Sequence, residues 1–133
     1  MDNNGTMHVA WADGTNYSNS GDDWDIFYNK KPFGSNWTTT EVVSTESVNQ
    51  SSRPSLAVDN SGTIHISWEE NTELGDYGSN YDILYKKKPF DGSWSKTEVV
   101  STESTSNSLN PYLVVEDNGT VPVSYTHLTL PTN

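Results

Sequence analysis

Eighteen acidic side chains, three histidines and seven cations, Arg53 the one arginine among them, carry the ionisable chemistry of this chain. Two acidic doublets, Asp22-Asp23 and Glu69-Glu70, raise the first chemistry to weigh, the paired carboxylates of glycoside hydrolysis. Adjacent residues on an extended chain point to opposite faces, so neither doublet makes a catalytic pair alone, and both are expected as solvated loop acids. Calcium suits the same segments better. Residues 12–24 and 69–81 hold Asp13, Asp22, Asp23, Glu69, Glu70, Glu73 and Asp76 among carbonyl-rich Gly and Asn. Calcium takes oxygens of that kind, but no spacing matches an EF-hand, so it stays a cofactor candidate without assigned ligands. His8 and His65 have neither a Cys nor a third ligand beside them, which argues against zinc. Each is expected to be a buried His bonded to a carboxylate, with Asp25 or Asp82 on the neighbouring strand as its partner.

The aromatic residues suggest recognition. Tyr17 and Tyr77 fall in the middle of polar segments and are the candidate ligand-binding residues, offering ring faces on which a sugar can stack. Trp24 and Tyr81 flank strands and are expected to pack. Five Asn-x-Ser/Thr sequons, at Asn4, Asn16, Asn36, Asn49 and Asn118, are compatible with a glycosylated surface.

A repeat of 57 residues positions all of these groups. Trp11 recurs as Trp68 (68 − 11 = 57), Trp37 as Trp94, His8 as His65 and Asp25 as Asp82. With residues 2–57 set over 59–114, 27 of the 56 pairs are identical, and a third copy opens at Glu116-Asp117-Asn118-Gly119-Thr120. Self-similarity at such a period marks units that bury their faces against one another. Within the second copy, Ser55-Leu56-Ala57-Val58 reads as a short strand and Asp59-Asn60-Ser61-Gly62 as a turn. Thr63-Ile64-His65-Ile66-Ser67-Trp68 alternates with period two, as a strand does. Residues 69–80 read as a long exposed loop, 81–88 as a third strand and 94–100 as a fourth. The expected fold is all-β: a β-propeller fragment of four-stranded antiparallel blades with a 57-residue repeat. The expected divisions are 2–47, a partial first blade of second to fourth strands; 54–101, a complete blade; and 111–122, the start of a third.

The order Asp-x-x-Gly-Thr, x-His-x-x-Trp (His8 and Trp11, His65 and Trp68), Asp-Ile-x-Tyr and a turn before Trp resembles the sialidase-type propellers with bacterial neuraminidase repeats. In that resemblance Phe90-Asp91-Gly92-Ser93-Trp94 stands where the family carries its Asp-box. The first copy, Phe33-Gly34-Ser35-Asn36-Trp37, lacks the Asp. The resemblance covers residues 2–121. It implies a propeller, and it implies hydrolysis only where three arginines, a Tyr–Glu pair and an acidic residue come together. Arg53 stands alone and its repeat equivalent is Asn110, so no catalytic residue is assigned in this chain.

Residues 123–133 resemble a translated transposon-based sequencing adapter and are expected to be a non-native tail, which makes the chain a fragment cut in mid-repeat. The net charge of −11 has the wrong sign for a phosphate backbone, which excludes nucleic acid as a natural partner. No apolar run is long enough to span a membrane, so membrane insertion is not expected. Without cysteine there is no disulfide framework or thiolate chemistry. This composition suits an extracellular or cell-surface location. The expected role is a non-catalytic scaffold for a glycan or protein ligand. The alternatives are a sialidase-like glycoside hydrolase whose catalytic residues lie outside this chain, and a structural adhesin or stalk segment. A fragment with uncovered blade faces is also expected to self-associate.

Overall fold

A computed structural model of the chain describes residues 1–71 and 80–127. Every helix or strand among them is a β-strand, and every strand pairing is antiparallel. The first unit holds β1 (Met7–Asp13), β2 (Asp25–Lys31) and β3 (Glu41–Val42). The second holds β4 (Ser51–Val58), β5 (Ile64–Asn71), β6 (Tyr81–Lys88) and β7 (Glu98–Val99), and the third holds β8 (Ser108–Leu113) and β9 (Val123–His127). Three sheets result, in the orders β1-β2-β3, β4-β5-β6-β7 and β8-β9. The four-stranded unit read from the sequence exists whole in the second sheet.

Its strand ends differ from the expected ones for local reasons. β4 starts at Ser51 because the chain before Pro54 pairs across a bulge, with Ser52 opposite Glu69 and Ser55 opposite Ser67. Arg53 sits in that bulge at φ 51°, and β8 repeats the device at Asn110, φ 56°. A bulge bends its strand and interrupts the ladder. The fourth strand is only Glu98–Val99, as short as β3 in the first unit, and the Thr97 amide just before it donates to Glu46 Oε2 of the first unit, at 3.0 Å.

One turn repeats in all three units. Gly62 N donates to Asp59 O, Gly5 N to Asp2 O and Gly119 N to Glu116 O. The three glycines have φ of 76°, 83° and 84° for Gly5, Gly62 and Gly119, a left-handed backbone that Gly adopts without a Cβ penalty.

The core lies between the first two units. Ile26, Tyr28 and Val43 of the first form one buried cluster with Ile64, Ile66, Trp68 and Leu84 of the second. Trp94 packs edge-on against Tyr28, with centroids 5.4 Å apart. Polar groups pin the same contact. Lys86 Nζ donates to Val43 O at 2.8 Å and to Thr45 Oγ1 at 3.0 Å. Glu41 accepts from Lys88 Nζ and from Trp94 Nε1, each at 2.7 Å. The third unit is tied on by Leu113 N donating to Ser55 Oγ and Asn110 N to Glu69 Oε2. Residues 123–127, expected as a foreign tail, occupy the second-strand position of the third unit, with Ser108 opposite His127 as Ser51 is opposite Glu70.

Candidate functional site

Each repeated histidine is the middle of a three-residue chain of hydrogen bonds. His65 Nε2 lies 2.9 Å from Asp59 Oδ2 and Nδ1 lies 2.7 Å from Tyr85 Oη. His8 repeats this with Asp2 Oδ2 at 2.9 Å and Tyr28 Oη at 2.8 Å. The expected carboxylate partner was present but wrongly named: it comes from the turn before the strand, not from Asp25 or Asp82. The turn returns the aspartate to the start of the strand, and its other oxygen is already fixed. Asp59 Oδ1 accepts from the amides of Ser61 and Thr63, both at 2.9 Å. Burial alone would raise the Asp59 pKa, but the bonds from His65, Ser61 and Thr63 outweigh it and hold the carboxyl at about 2. Asp2 is lowered by the same balance, burial opposing and His8, Thr6 and Asn4 prevailing. With the carboxylate ionised, Nε2–H donates to it, and Nδ1 of a neutral ring accepts from the phenol. Burial and the charges of Glu98 and Asp59 push the Tyr85 pKa up, which keeps that phenol a donor.

An Asp–His–hydroxyl chain has the connectivity of a nucleophilic triad. Here the hydroxyl is a phenol held protonated, the histidine side chains are only 5% and 6% exposed, and the arrangement occurs in both units. It ties a turn to the third strand.

Asp25 and Asp82 do a different job. Asp82 Oδ1 accepts from Ser101 Oγ at 2.8 Å, and that Oγ accepts from the Ile83 amide at 3.0 Å. Asp25, Ser44 and Ile26 repeat this at 2.7 and 2.9 Å. The clasp joins the start of the third strand to the chain just beyond the fourth. Burial raises the Asp82 pKa, Ser101 opposing, and Oδ2 of both aspartates is buried without a hydrogen-bond partner.

The doublet Glu69-Glu70 is buried at the end of β5 and is not a pair of solvated loop acids. A strand with neighbours on both faces has no solvated side, so both acids need internal donors. Glu70 Oε2 accepts from Ser51 Oγ at 2.8 Å and Trp68 Nε1 at 2.9 Å. Glu69 accepts from Ser52, from Arg53 Nη1 at 2.9 Å and from the Asn110 amide. Asp13 is also a strand-end residue. Its carboxylate accepts from Thr15 Oγ1 at 2.6 Å and from the Thr15 amide, which lowers its pKa against a small opposing burial. Among the described residues no three His, Cys, Asp or Glu side chains converge as metal ligands. Glu73 and Asp76 lie outside the described residues, as does the candidate Tyr77.

Tyr17 lies at a cavity. Trp11, Asp13, Thr15, Tyr17, Phe27 and Thr40 line a recess of about 190 Å³. Trp11 stacks on Phe27 with centroids 5.8 Å apart, and Tyr17 meets Phe27 edge-on at 6.2 Å. An aromatic floor beside a carboxylate and two hydroxyls can take a polar ligand that also presents an apolar face. Trp24, expected to pack, is 50% exposed and stands over Gly14. Tyr81 opens β6 opposite Asn71 and is half-buried. Of the repeated residues, Trp68 is buried while Trp11 is only half-buried, and Trp94 is half-buried while Trp37 is exposed.

No protein-family model matches the chain, and comparisons with curated proteins and with solved structures likewise find no match. The residues that a sequence reading missed are Asp2, Asp59, Tyr28 and Tyr85. The available signal was co-occurrence: Asp and His stand six apart in both full copies, and in the third both change together, to Glu116 and Pro122.

Proposed function

We propose that this chain is a run of blades of the β-propeller type, with a non-catalytic role as an extracellular or cell-surface scaffold for a glycan or protein ligand. One observation carries the reading. The chemistry-bearing side chains that recur, His65 with Asp59 and Tyr85 or Asp82 with Ser101, are engaged in internal bonds that their repeat counterparts also make. Variation gathers instead in the segment joining second to third strands. Residues 12–24 and 69–81 share only Thr15/Thr72, Gly21/Gly78 across that segment. A constant frame with a variable loop suits recognition, where specificity must change without disturbing the fold. In the first unit that loop brings Tyr17 and Thr15 to the aromatic recess, a site suited to the apolar face and hydroxyl edge of a sugar.

The test is a glycan array probed with the whole chain and with Tyr17→Ala. Saturable binding to a restricted set of glycans, weakened by the substitution, is the expected result. Uniform failure to bind, or binding indifferent to Tyr17, would remove the recess from the proposal. Release of a sugar from any arrayed glycan would favour the hydrolase alternative.

A further inference from the structure

The junction between the first two units opens into a cavity at the opposite end of the strands from the Tyr17 recess. It holds about 360 Å³, against about 190 Å³ for the recess, and no residue lines both. Small-molecule sites begin at about 300 Å³. The walls continue the two faces that meet in the core. On the first unit His8 stands opposite Lys30, and on the second Ile64 stands opposite Lys88. A hydrogen bond from Asn3 Nδ2 to Asn60 Oδ1, at 3.3 Å, joins the two turns that supply Asn4 and Gly62 to the lining.

Some polar groups around this cavity are already engaged. Asp2 and His8 bond to each other, and Lys88 donates to both oxygens of Glu41 at 2.7 Å. Four others are not. Among the described residues the side chains of Asn4, Thr6, Lys30 and Asp91 make no hydrogen bond or ion pair, although each lines the cavity. Lys30 is half-buried. An ammonium has three donors, and burying part of it without an acceptor costs solvation. Asp91 adds a backbone observation. It stands at φ 54° where the first unit has Gly34 at φ 70°. Glycine takes that conformation without a Cβ penalty, whereas the aspartate makes no compensating bond within the fold. The apolar surface comes from Phe90, 65% exposed, whose ring lies over Gly62, where a Cβ would come within 3.3 Å of Cδ2. Phe33 covers Gly5 in the same way, so the repeat fixes the place of the ring.

An ammonium, a carboxylate, an amide and a hydroxyl grouped around one aromatic ring are the complement of a pyranose. Sugar hydroxyls both donate and accept, and the C–H face of the ring is apolar. A simple anion is the poorer match, because Asp2 and Asp91 both line the cavity. We propose that this cleft between units binds a neutral monosaccharide unit, with Lys30 and Asp91 holding its hydroxyls and Phe90 its apolar face. The site shares the glycan chemistry of the reading above, but it is built from two units rather than one loop and does not depend on the Tyr17 recess.

Saturation-transfer spectra of the full chain test this, with methyl glucoside, methyl galactoside and N-acetylglucosamine as probes and acetate as the anion control. At least one sugar is expected to bind saturably at millimolar concentrations, with saturation strongest at the C–H protons of one ring face. Asp91→Gly carries the residue that the first unit has at that turn, and Lys30→Met keeps the length of the side chain. Each is expected to weaken binding about tenfold, the loss of one hydrogen bond to a charged group. Unchanged melting checks that both variants fold. Tyr17→Ala is expected to leave this binding as it is. No saturable sugar binding overturns the proposal, as does sugar binding that neither cleft variant weakens. Binding lost with Tyr17→Ala alone removes the cleft and leaves the recess standing. Acetate bound as tightly as any sugar, and lost with Lys30→Met, overturns the sugar assignment in favour of a simple anion site.

Discussion

The first and second units share His8/His65 and Trp11/Trp68 on their second strands and five of seven residues on their third, yet they have opposite fates on one face. Trp68 is 1% exposed and Ile66 is fully buried, while their counterparts Trp11 and Val9 stand partly open, Val9 at 42%. The difference arises from what stacks against each sheet. The second unit has the first against its Ile64–Ile66–Trp68 face, whereas Val9 and Trp11 of the first lie outside that buried cluster. A residue's burial here belongs to the junction between repeats more than to its own strand, as nearest-neighbour stability in repeat arrays requires.

The sharpest way to break that comparison is to truncate the paired tryptophans. Trp68→Ala removes a fully buried ring and its bond to Glu70, and is expected to cost about 3–5 kcal/mol. Trp11→Ala, in the same strand position, is expected to cost less, about 2 kcal/mol, because its ring is only partly buried. Urea denaturation of both variants measures the gap. Equal losses would show that each sheet is stabilised from within, and the junction would lose its central place.

Lys86 sharpens the same point with a polar group. Its counterpart Asn29 bonds within its own sheet, to Thr40 Oγ1, whereas the Lys86 ammonium crosses the junction to Val43 O and Thr45 Oγ1. Lys86→Met keeps the volume and leaves two acceptors without their donor, at an expected cost of about 2 kcal/mol. Burial lowers the Lys86 pKa, with Glu46 and Glu70 opposing. In the alkaline window below the ordinary value of 10.5 the unfolded chain therefore holds more protons, and wild-type stability rises with pH there. The Met variant is expected to lack that rise, and an identical alkaline profile would refute the assignment.

Asp59 tests a feature that the two units share. Its carboxyl titrates at about 2 in the folded chain against an ordinary 3.8. Its contribution is therefore present in full above pH 3.8 and is lost as pH falls toward 2. Asp59→Asn is expected to lose about 1–2 kcal/mol at neutral pH and to flatten that acid segment of the profile. Asp2→Asn is expected to act in the same direction. A stability loss at Asp59 that keeps the full acid slope would place the slope elsewhere.

The strands were legible because period-two alternation and the 57-residue repeat both survive in the sequence, and β6 was read to its observed ends. Partnerships between side chains were less so. The pattern marked His65 as buried and in need of a carboxylate, but Asp82 and Asp59 were both within reach of a plausible strand pairing. Only the left-handed Gly62 turn decides between them, by folding Asp59 back on its own strand. The burial of Glu69 and Glu70 was hidden for the opposite reason. Their composition looks solvated, and only the stacking of neighbours on both faces shows that β5 has no outer side. For the recess at Tyr17, the aromatic residue was visible, but the contribution of Trp11 and Phe27 required the strand pairing that sets them opposite each other.

The smallest effect concerns the bulge that the second and third units share. Arg53 and Asn110 occupy the same position with φ of 51° and 56°, and a side chain other than Gly, Asn or Asp pays about 1–2 kcal/mol for that backbone. Asn tolerates it, so Asn110 suits the bulge and Arg53 does not. Arg53 has one compensation, its bond to Glu69 Oε1, but the arginine side chain is 60% exposed. An ion pair so open to water contributes about 0–1 kcal/mol. Glu69 would still accept from Ser52 and from the Asn110 amide if that pair were removed. Arg53→Asn is therefore expected to stabilise the chain by about 0.5 kcal/mol, the relief of backbone strain slightly exceeding the lost pair. Chemical denaturation at low and at high salt separates the two contributions, since screening weakens only the ion pair. The gain is expected to grow with salt. A loss exceeding about 1 kcal/mol at high salt would mean that the guanidinium on Glu69, rather than the bulge geometry, decides the stability at this position.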